Sequence, residues 1–507
     1  MIWCLGQAPP APRLSEVSLR FVFAFILIAS AALPAQTQTT PSPAGRSTAI
    51  AFANLRTRTE GWQFFQAPPV TSSYGYGQSL LRFGFAQNLT RWDWRIELAQ
   101  ATIFDAPSGA ISSVAAQGQL GLGASYYAAN GAAYPAALFV KQAFLRYNFD
   151  QHDKNLRLGR FEFFEGMEME QKNPALAWLQ ANRVAQRLVG NFGFTNAQRS
   201  FDGIDAHLGQ GAWDLTAMAG RGDQGVFNMN GNPELNVDIQ YLAFSRRQWK
   251  QRLVWRGFAI GYHDGRTGIV KTDNRPLTAR QADHGNIRVG TYGGDLLTLI
   301  PAGAGEFDFV GWGALQNGRW GAQQQRAGAA AAEGGYQFLR LASTPWIRAG
   351  WFWSSGDNNP SDNTHATFFE LLPTPRNYAR LPIYNLMNLK DAFAQIIDRP
   401  ARHWDLRSDL HWVQLASKND LWYQGGGAFD NKVFGFVGRP SGGAASLVSM
   451  ADVSADWHPD PHWDLGLYYA HAWGKSVVAS IYPQNRNAQF AFLELTYHWS
   501  APLPARR

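Results

Sequence analysis

Beyond residue 46 the chain has no apolar run long enough for a transmembrane helix, although 46% of its residues are hydrophobic and 14% aromatic. Its apolar residues are instead dispersed at alternate positions. Cysteine is almost absent. Cys4 is the only one and it precedes the first apolar segment, which argues against a disulfide framework, a thiolate metal site or a lipid-anchoring cysteine. Lysine is scarce, at nine against 36 arginines. No H-E-x-x-H pair occurs among the 11 histidines, and His458 and His462 flank Pro459 and Pro461, so they cannot share a helical face as metal ligands. The glycine run Gly425-Gly426-Gly427 has no lysine in P-loop position. No cofactor, resident metal or nucleic-acid partner is therefore expected. Nor does any serine stand out as a nucleophile.

What is present begins with Arg20, the apolar run Phe21 to Ile28, and the small-residue stretch ending Leu33-Pro34-Ala35-Gln36. That order predicts a secretory signal peptide over residues 1–35 and a short segment over 36–47. Removing residues 1–35 leaves 43 basic and 37 acidic residues. Arginine presents a planar fork that grips carboxylate or phosphate at two points, so the bias toward it suits an anionic ligand.

In Arg91-Trp92-Asp93-Trp94-Arg95-Ile96-Glu97-Leu98 every even position is apolar and every odd one charged. This period of two makes a strand with one face for lipid and one for water. Leu81 to Phe85 alternates likewise, and Asn88-Leu89-Thr90 reads as a tight hairpin, so Arg82, Arg91, Asp93, Arg95 and Glu97 should share a lumen. The pattern recurs around Arg146, Asp214, Arg348 and Arg407, and in the closing run Leu493 to Trp499. Short links near 88–90, 150–154, 209–212, 247–251, 301–305, 342–345, 398–402 and 458–462 alternate with long ones near 104–136, 164–198, 221–236, 264–286, 354–386 and 425–446. The expectation is an all-β transmembrane antiparallel barrel of about 18 strands over residues 48–499, with a tail over 500–507. It would sit in a bacterial outer membrane, short turns in the periplasm. The 104–136 loop, rich in Gly, Ala and Ser, is the candidate mobile loop. The 164–198 loop, with Glu165, Glu168, Glu170, Arg183 and Arg187, is the candidate constriction, against the alternative of an ordinary solvated loop.

Leu156-Arg157-Leu158-Gly159-Arg160-Phe161-Glu162-Phe163 followed by Arg199-Ser200-Phe201-Asp202-Gly203-Ile204 resembles the alginate export porin family. Arg348 to Asp357, with Thr367 to Pro373, is similar to a second signature of that family. The resemblance implies an eighteen-stranded pore with an arginine-lined constriction that passes an anionic polyuronate, and partners in a periplasm-spanning export assembly. By motif it carries the path residues onto Arg157, Arg160, Glu162, Arg199 and Asp202, then Arg348 and Asp357. The alternation adds Arg82, Arg95, Arg146 and Arg407. One conflict stands out: the phase that points Arg157 inward points Arg160 outward, unless a bulge at Gly159 resets it or Arg160 lies above the hydrocarbon band.

Two other readings use the same residues. Arg160, Glu162, Arg199 and Asp202 could form an ion-pair network that braces the wall without touching substrate. The barrel could also be a general porin for small nutrients, an outer-membrane enzyme or a plugged structural barrel. The oxygen-rich Asp357 to Asn363 lacks the Gly and distal Glu of an EF-hand and reads as a turn.

Overall fold

Alternation along the chain becomes a closed wall. The computed structural model describes residues 48–150, 153–374 and 378–503, so the predicted signal peptide and the segment 36–47 lie outside the described residues. The first nine strands are β1 (Ile50–Gln63), β2 (Ser73–Asn88), β3 (Trp92–Phe104), β4 (Ala136–Asp150), β5 (Lys154–Phe161), β6 (Phe201–Gln210), β7 (Trp213–Asp223), β8 (Glu234–Gln248) and β9 (Leu253–Asp264). The rest of the wall is β10 (Ile287–Ala302), β11 (Gly305–Trp320), β12 (Gln323–Gln337), β13 (Trp346–Ser354), β14 (Leu389–Asp398), β15 (Trp404–Leu415), β16 (Ser446–Trp457), β17 (Trp463–Gly474) and β18 (Asn487–Pro502). Each pairs antiparallel with the next, and β1 closes on β18 from Ile50↔Pro502 to Gln63↔Gln489. The last strand thus runs past residue 499, into the predicted tail. A two-residue strand, Thr364–His365, and a hairpin of Trp422–Gly425 with Phe436–Arg439 belong to loops.

Closure satisfies every wall strand on both sides, which hydrocarbon demands because it offers backbone groups no water. Along β8 exposed and buried residues alternate over nearly the whole strand. On the outward face Ile96 is 52% exposed, Leu158 63% and Leu315 70%. Such a band is stable only against lipid. Aromatics gather at the short-turn end, where Trp92 lies 4.7 Å from Tyr147, Trp404 5.5 Å from Trp457 and Trp463 4.5 Å from Tyr497. That is an interfacial girdle.

The eight predicted short turns all lie at this end. At the other end the long links fall at 105–135, 162–200, 224–233, 265–286, 355–388 and 416–445. Three more external links, 64–72, 321–322 and 475–486, escaped the sequence reading. Residues 105–135 form a packed segment. They contain a helix at Leu122–Asn130 whose Tyr126 is fully buried and accepts a hydrogen bond from the Asn196 backbone N–H at 3.0 Å.

In the turn after β16, His458 reaches Asp464 through Nδ1 at 3.3 Å and Asp405 through Nε2 at 3.4 Å. Burial opposes its charge, but the two carboxylates prevail and push its pKa up to about 9. A raised histidine pKa stabilises the fold fully below the unfolded value of about 6.5 and loses that contribution as pH rises through the folded value. His458→Asn should therefore cost about 1 kcal/mol at pH 6, allowing for solvent screening, and nothing at pH 10. Urea unfolding in lipid vesicles at the two pH values measures this; an equal cost at both would show that the ring acts by packing alone.

Candidate functional site: a charged lumen with inward-folded loops

Residues 162–200 leave the wall after β5 and turn into the barrel. Asn173 starts the descent as a helix cap, its side chain accepting from the backbone N–H groups of Ala175 and Leu176, with Pro174 at the first helical position. The helix Pro174–Leu179 widens into a π turn at Gln180–Val184. This delivers Arg183 Nε to 2.7 Å from Glu333 on β12, while Arg187 reaches the other Glu333 oxygen at 3.3 Å. Arg348 on β13 approaches the same carboxylate at 3.3 Å and Asp308 on β11 at 2.9 Å. Aromatic faces complete the socket: the Arg183 guanidinium lies 4.5 Å from the Tyr378 and Phe393 ring centres.

Three guanidiniums share two carboxylates here, all at 0–1% side-chain exposure. The predicted constriction loop therefore does fold inward, and its arginines are anchors rather than free surface. Glu333→Gln would leave the buried Arg183 and Arg187 without their carboxylate and Arg348 with Asp308 alone, a change worth about 3–5 kcal/mol by analogy with broken buried pairs. The expected result is protease cleavage within 162–200 in a protein whose barrel still migrates as folded. Unaltered resistance would contradict the anchoring role.

A second cluster lies on β2, β3 and β4. Arg82 engages Glu162 at 2.6 Å and also Glu97; Glu97 in turn accepts from Arg95 at 2.7 Å and Gln142 at 2.9 Å. The β3–β4 register slips between Glu97 and Leu98, which inserts Lys141 as an extra inward residue 3.5 Å from Glu162. The bulge is thus on β4. At Gly159 the pairing with β4 and β6 is continuous, so no phase shift occurs there.

That register answers the conflict seen in the sequence. Arg157 faces inward, 2.8 Å from Asp205 and 4.1 Å from the centre of the buried Phe161 ring. Arg160 and its cross-strand partner Asp202 share the phase of the exposed Leu158 and Ile204, on the outer wall. They bind each other in a fork at 2.8 and 2.5 Å. The structure therefore removes both from the lumenal set. Arg91 also departs from expectation, lying exposed in the turn before β3.

Arg199 is inside but touches no open space. Its guanidinium donates to four carbonyls, those of Gly190 and Leu372 at 3.0 Å and of Gly426 and Ala428 at 3.1 Å. One side chain thereby ties residues 162–200 to two other loops. Without a nearby carboxylate in hydrogen-bond contact, burial lowers its pKa to about 10. The loops are also paired through backbone, with Gly190 N donating to Leu372 O at 2.8 Å.

Nearer the short-turn end the lumen stays open enough to reach arginines. Side-chain exposure is 34% for Arg95, 30% for Arg146 and 34% for Arg380, falling to 19% for Arg407. Each stands beside a carboxylate: Arg146 is 3.8 Å from Asp93, Arg380 is 3.6 Å from Asp456, and Arg407 binds Asp409. Sequence reasoning missed Arg380, which lies in a loop without periodicity. It also missed Arg56 and Arg58 on β1, whose alternation with Leu55 and Thr57 was there to be read; Arg58 forms an ion pair with Glu494 at 2.5 Å. Arg256, bound to Glu165 at 2.6 Å and Asp295 at 2.7 Å, was hidden among apolar neighbours.

Among the described residues one group, Asp409, His411 and Asp452, has metal-like spacing. His411 is held by Asp391 at 3.0 Å, and Asp409 by Arg407 and Gln395, so the group also reads as part of the lumenal ion network. Asp357 takes part in loop turns, accepting from the Asn359 backbone N–H at 3.0 Å.

A closed eighteen-strand barrel with a lipid-facing apolar band, a charged lumen and loops folded into it is an outer-membrane porin-type barrel. Solved structures agree on the fold: Pseudomonas aeruginosa OccK9 (OpdG) superposes with a TM-score of 0.54 at 12% identity, over 90% of this chain and 98% of its own. Acinetobacter baumannii OccAB4 gives 0.54 at 7% identity over 90% and 99%, and Pseudomonas aeruginosa OpdK, solved with vanillate, 0.50 at 8% over 89% and 99%. No curated protein matches the chain in sequence. Residues 136–491 match the alginate export family, and the chain belongs to that family.

Proposed function

We propose that this outer-membrane pore passes anionic solutes, most specifically an alginate-type exopolysaccharide, along a lumen whose selectivity is set by arginines. The observation that carries the reading is the group of partly exposed guanidiniums at the periplasmic mouth, Arg95, Arg146, Arg380 and Arg407, below the inward-folded loop that Glu333 anchors. A polyuronate entering from that side would exchange hydration for successive arginine forks. The carboxylate beside each fork weakens it enough for release, as conduction over many sites requires. Arg82 and Arg157 continue the path inward at lower exposure, while Arg183, Arg187, Arg199 and Arg348 act by holding the loops. Family and fold are of transport type, and no catalytic step is part of the proposal. Periplasmic export components are proposed partners by family membership alone.

A second reading has one observation in its favour. OpdK, a neighbour in fold, was solved with vanillate, a small aromatic carboxylate. Small carboxylates would use the same forks.

Planar-bilayer recordings with uronate oligomers of graded length separate the two. The expected result is anion-selective conductance blocked more strongly as the oligomer lengthens. Arg95→Ala with Arg146→Ala and Arg380→Ala should cut the anion-to-cation permeability ratio about fivefold, or ~1 kcal/mol. Block independent of length would favour small carboxylates, and an unchanged ratio would remove these arginines from the path.

A further inference from the structure

The outer wall carries a charged row at the external end of β5 to β11. In register, Arg160 faces Asp202, Asp202 faces Arg221, Arg221 faces Asp238 and Asp238 faces His263. Each of these arginines is matched on the wall: Arg160 binds Asp202, and Arg221 reaches Asp238 at 2.8 Å, with His263 3.6 Å from the same carboxylate. The row then changes character. His263 faces Arg288, and Arg288 faces Arg319 directly across β10 and β11. Both arginines are exposed, and neither has an ion-pair or hydrogen-bond partner among the described residues. Like charges directly opposite on a sheet destabilise it, so this juxtaposition has a cost that no ion pair among the described residues offsets.

The surroundings say what would. Arg326 on β12 is exposed on the same face, diagonal to Arg319, and is held by a hydrogen bond to Gln324 at 2.9 Å. Gly318 has φ 137°, and a Cβ there would lie 2.1 Å from the Arg288 carbonyl oxygen, so the two strands approach closely beside the pair only because that residue is glycine. Four residues along each strand, Tyr292 and Leu315 face each other at 54% and 70% exposure, inside the lipid band. At about 3.3 Å per residue the arginines stand about 13 Å from that apolar pair, toward the external surface where acyl chains give way to headgroups.

We propose that Arg288, Arg319 and Arg326 form a docking site on the outer wall for the phosphate-bearing headgroup of an outer-leaflet lipid of the lipid A type, its acyl chains lying against Tyr292 and Leu315. Two guanidinium forks side by side match a phosphate monoester in geometry and charge, which a lysine pair would do less well. The apolar pair below commits the site to a lipid rather than a free anion. The site is on the opposite face of the wall from the solute path and is independent of the proposed transport function.

Native mass spectrometry of the detergent-solubilised full-length mature protein tests this, titrated with bisphosphorylated lipid A and with the same lipid dephosphorylated. The expected result is tight retention of the bisphosphorylated lipid, at least tenfold weaker binding of the dephosphorylated one, and a matching tenfold loss in Arg288→Gln with Arg319→Gln. Arg221→Ala removes a matched wall charge and should leave binding unchanged. Heat-modifiable migration identifies folded samples, and Arg319→Gln alone serves if the double variant fails to fold. Equal lipid binding in wild type and variant overturns the proposal, as does an equal loss in Arg221→Ala. Displacement of the lipid by inorganic phosphate at comparable affinity would also overturn it, since the site would then be one for a free anion.

Discussion

Hydrocarbon cannot hydrogen-bond to a peptide group, and the rest of the structure follows from that constraint. It forces the chain into a closed ring of antiparallel strands, and closure assigns alternate residues to lipid and to lumen. Charge can then accumulate only inside the ring or at its rims. The 46% hydrophobic content is dispersed for this reason. The same rule gives Arg157 and Arg160, three residues apart, opposite destinations: one faces the lumen, the other the outer wall.

Inside the ring, the guanidiniums sort into two populations according to what they touch. Arg183, Arg187 and Arg348 converge on Glu333, and Arg199 is caged by carbonyls, so their charge is used to seat loops. Arg95, Arg146, Arg380 and Arg407 retain contact with the open part of the lumen. An arginine bias read from composition does not distinguish seating from lining. Exposure and partners do.

The wall was legible because it depends on local signals. The alternation from Trp92 to Leu98 became the first half of β3, and the predicted short turns all proved to lie at one end. The inward fold of residues 162–200 was only half legible, because its anchor is a contact between Arg183 and Glu333, 150 residues apart. Nothing near either residue announces the other. The role of Arg199 was misjudged for a related reason: its four acceptors are backbone carbonyls, which leave no trace in residue identity. The two-residue link between β11 and β12 was missed because the strands on either side run together as Gly- and Gln-rich sequence with weak apolar alternation.

The central claim is that the open part of the lumen is electropositive and admits anions. It is tested most directly at Phe52, over whose ring the Arg95 guanidinium sits at 4.2 Å. The predicted mature chain has no cysteine, so a single Phe52→Cys substitution gives a unique reporter. The account predicts that an anionic methanethiosulfonate reagent modifies this position faster than its cationic analogue, and that added polyuronate slows the reaction. Equal rates, or faster modification by the cation, would contradict it.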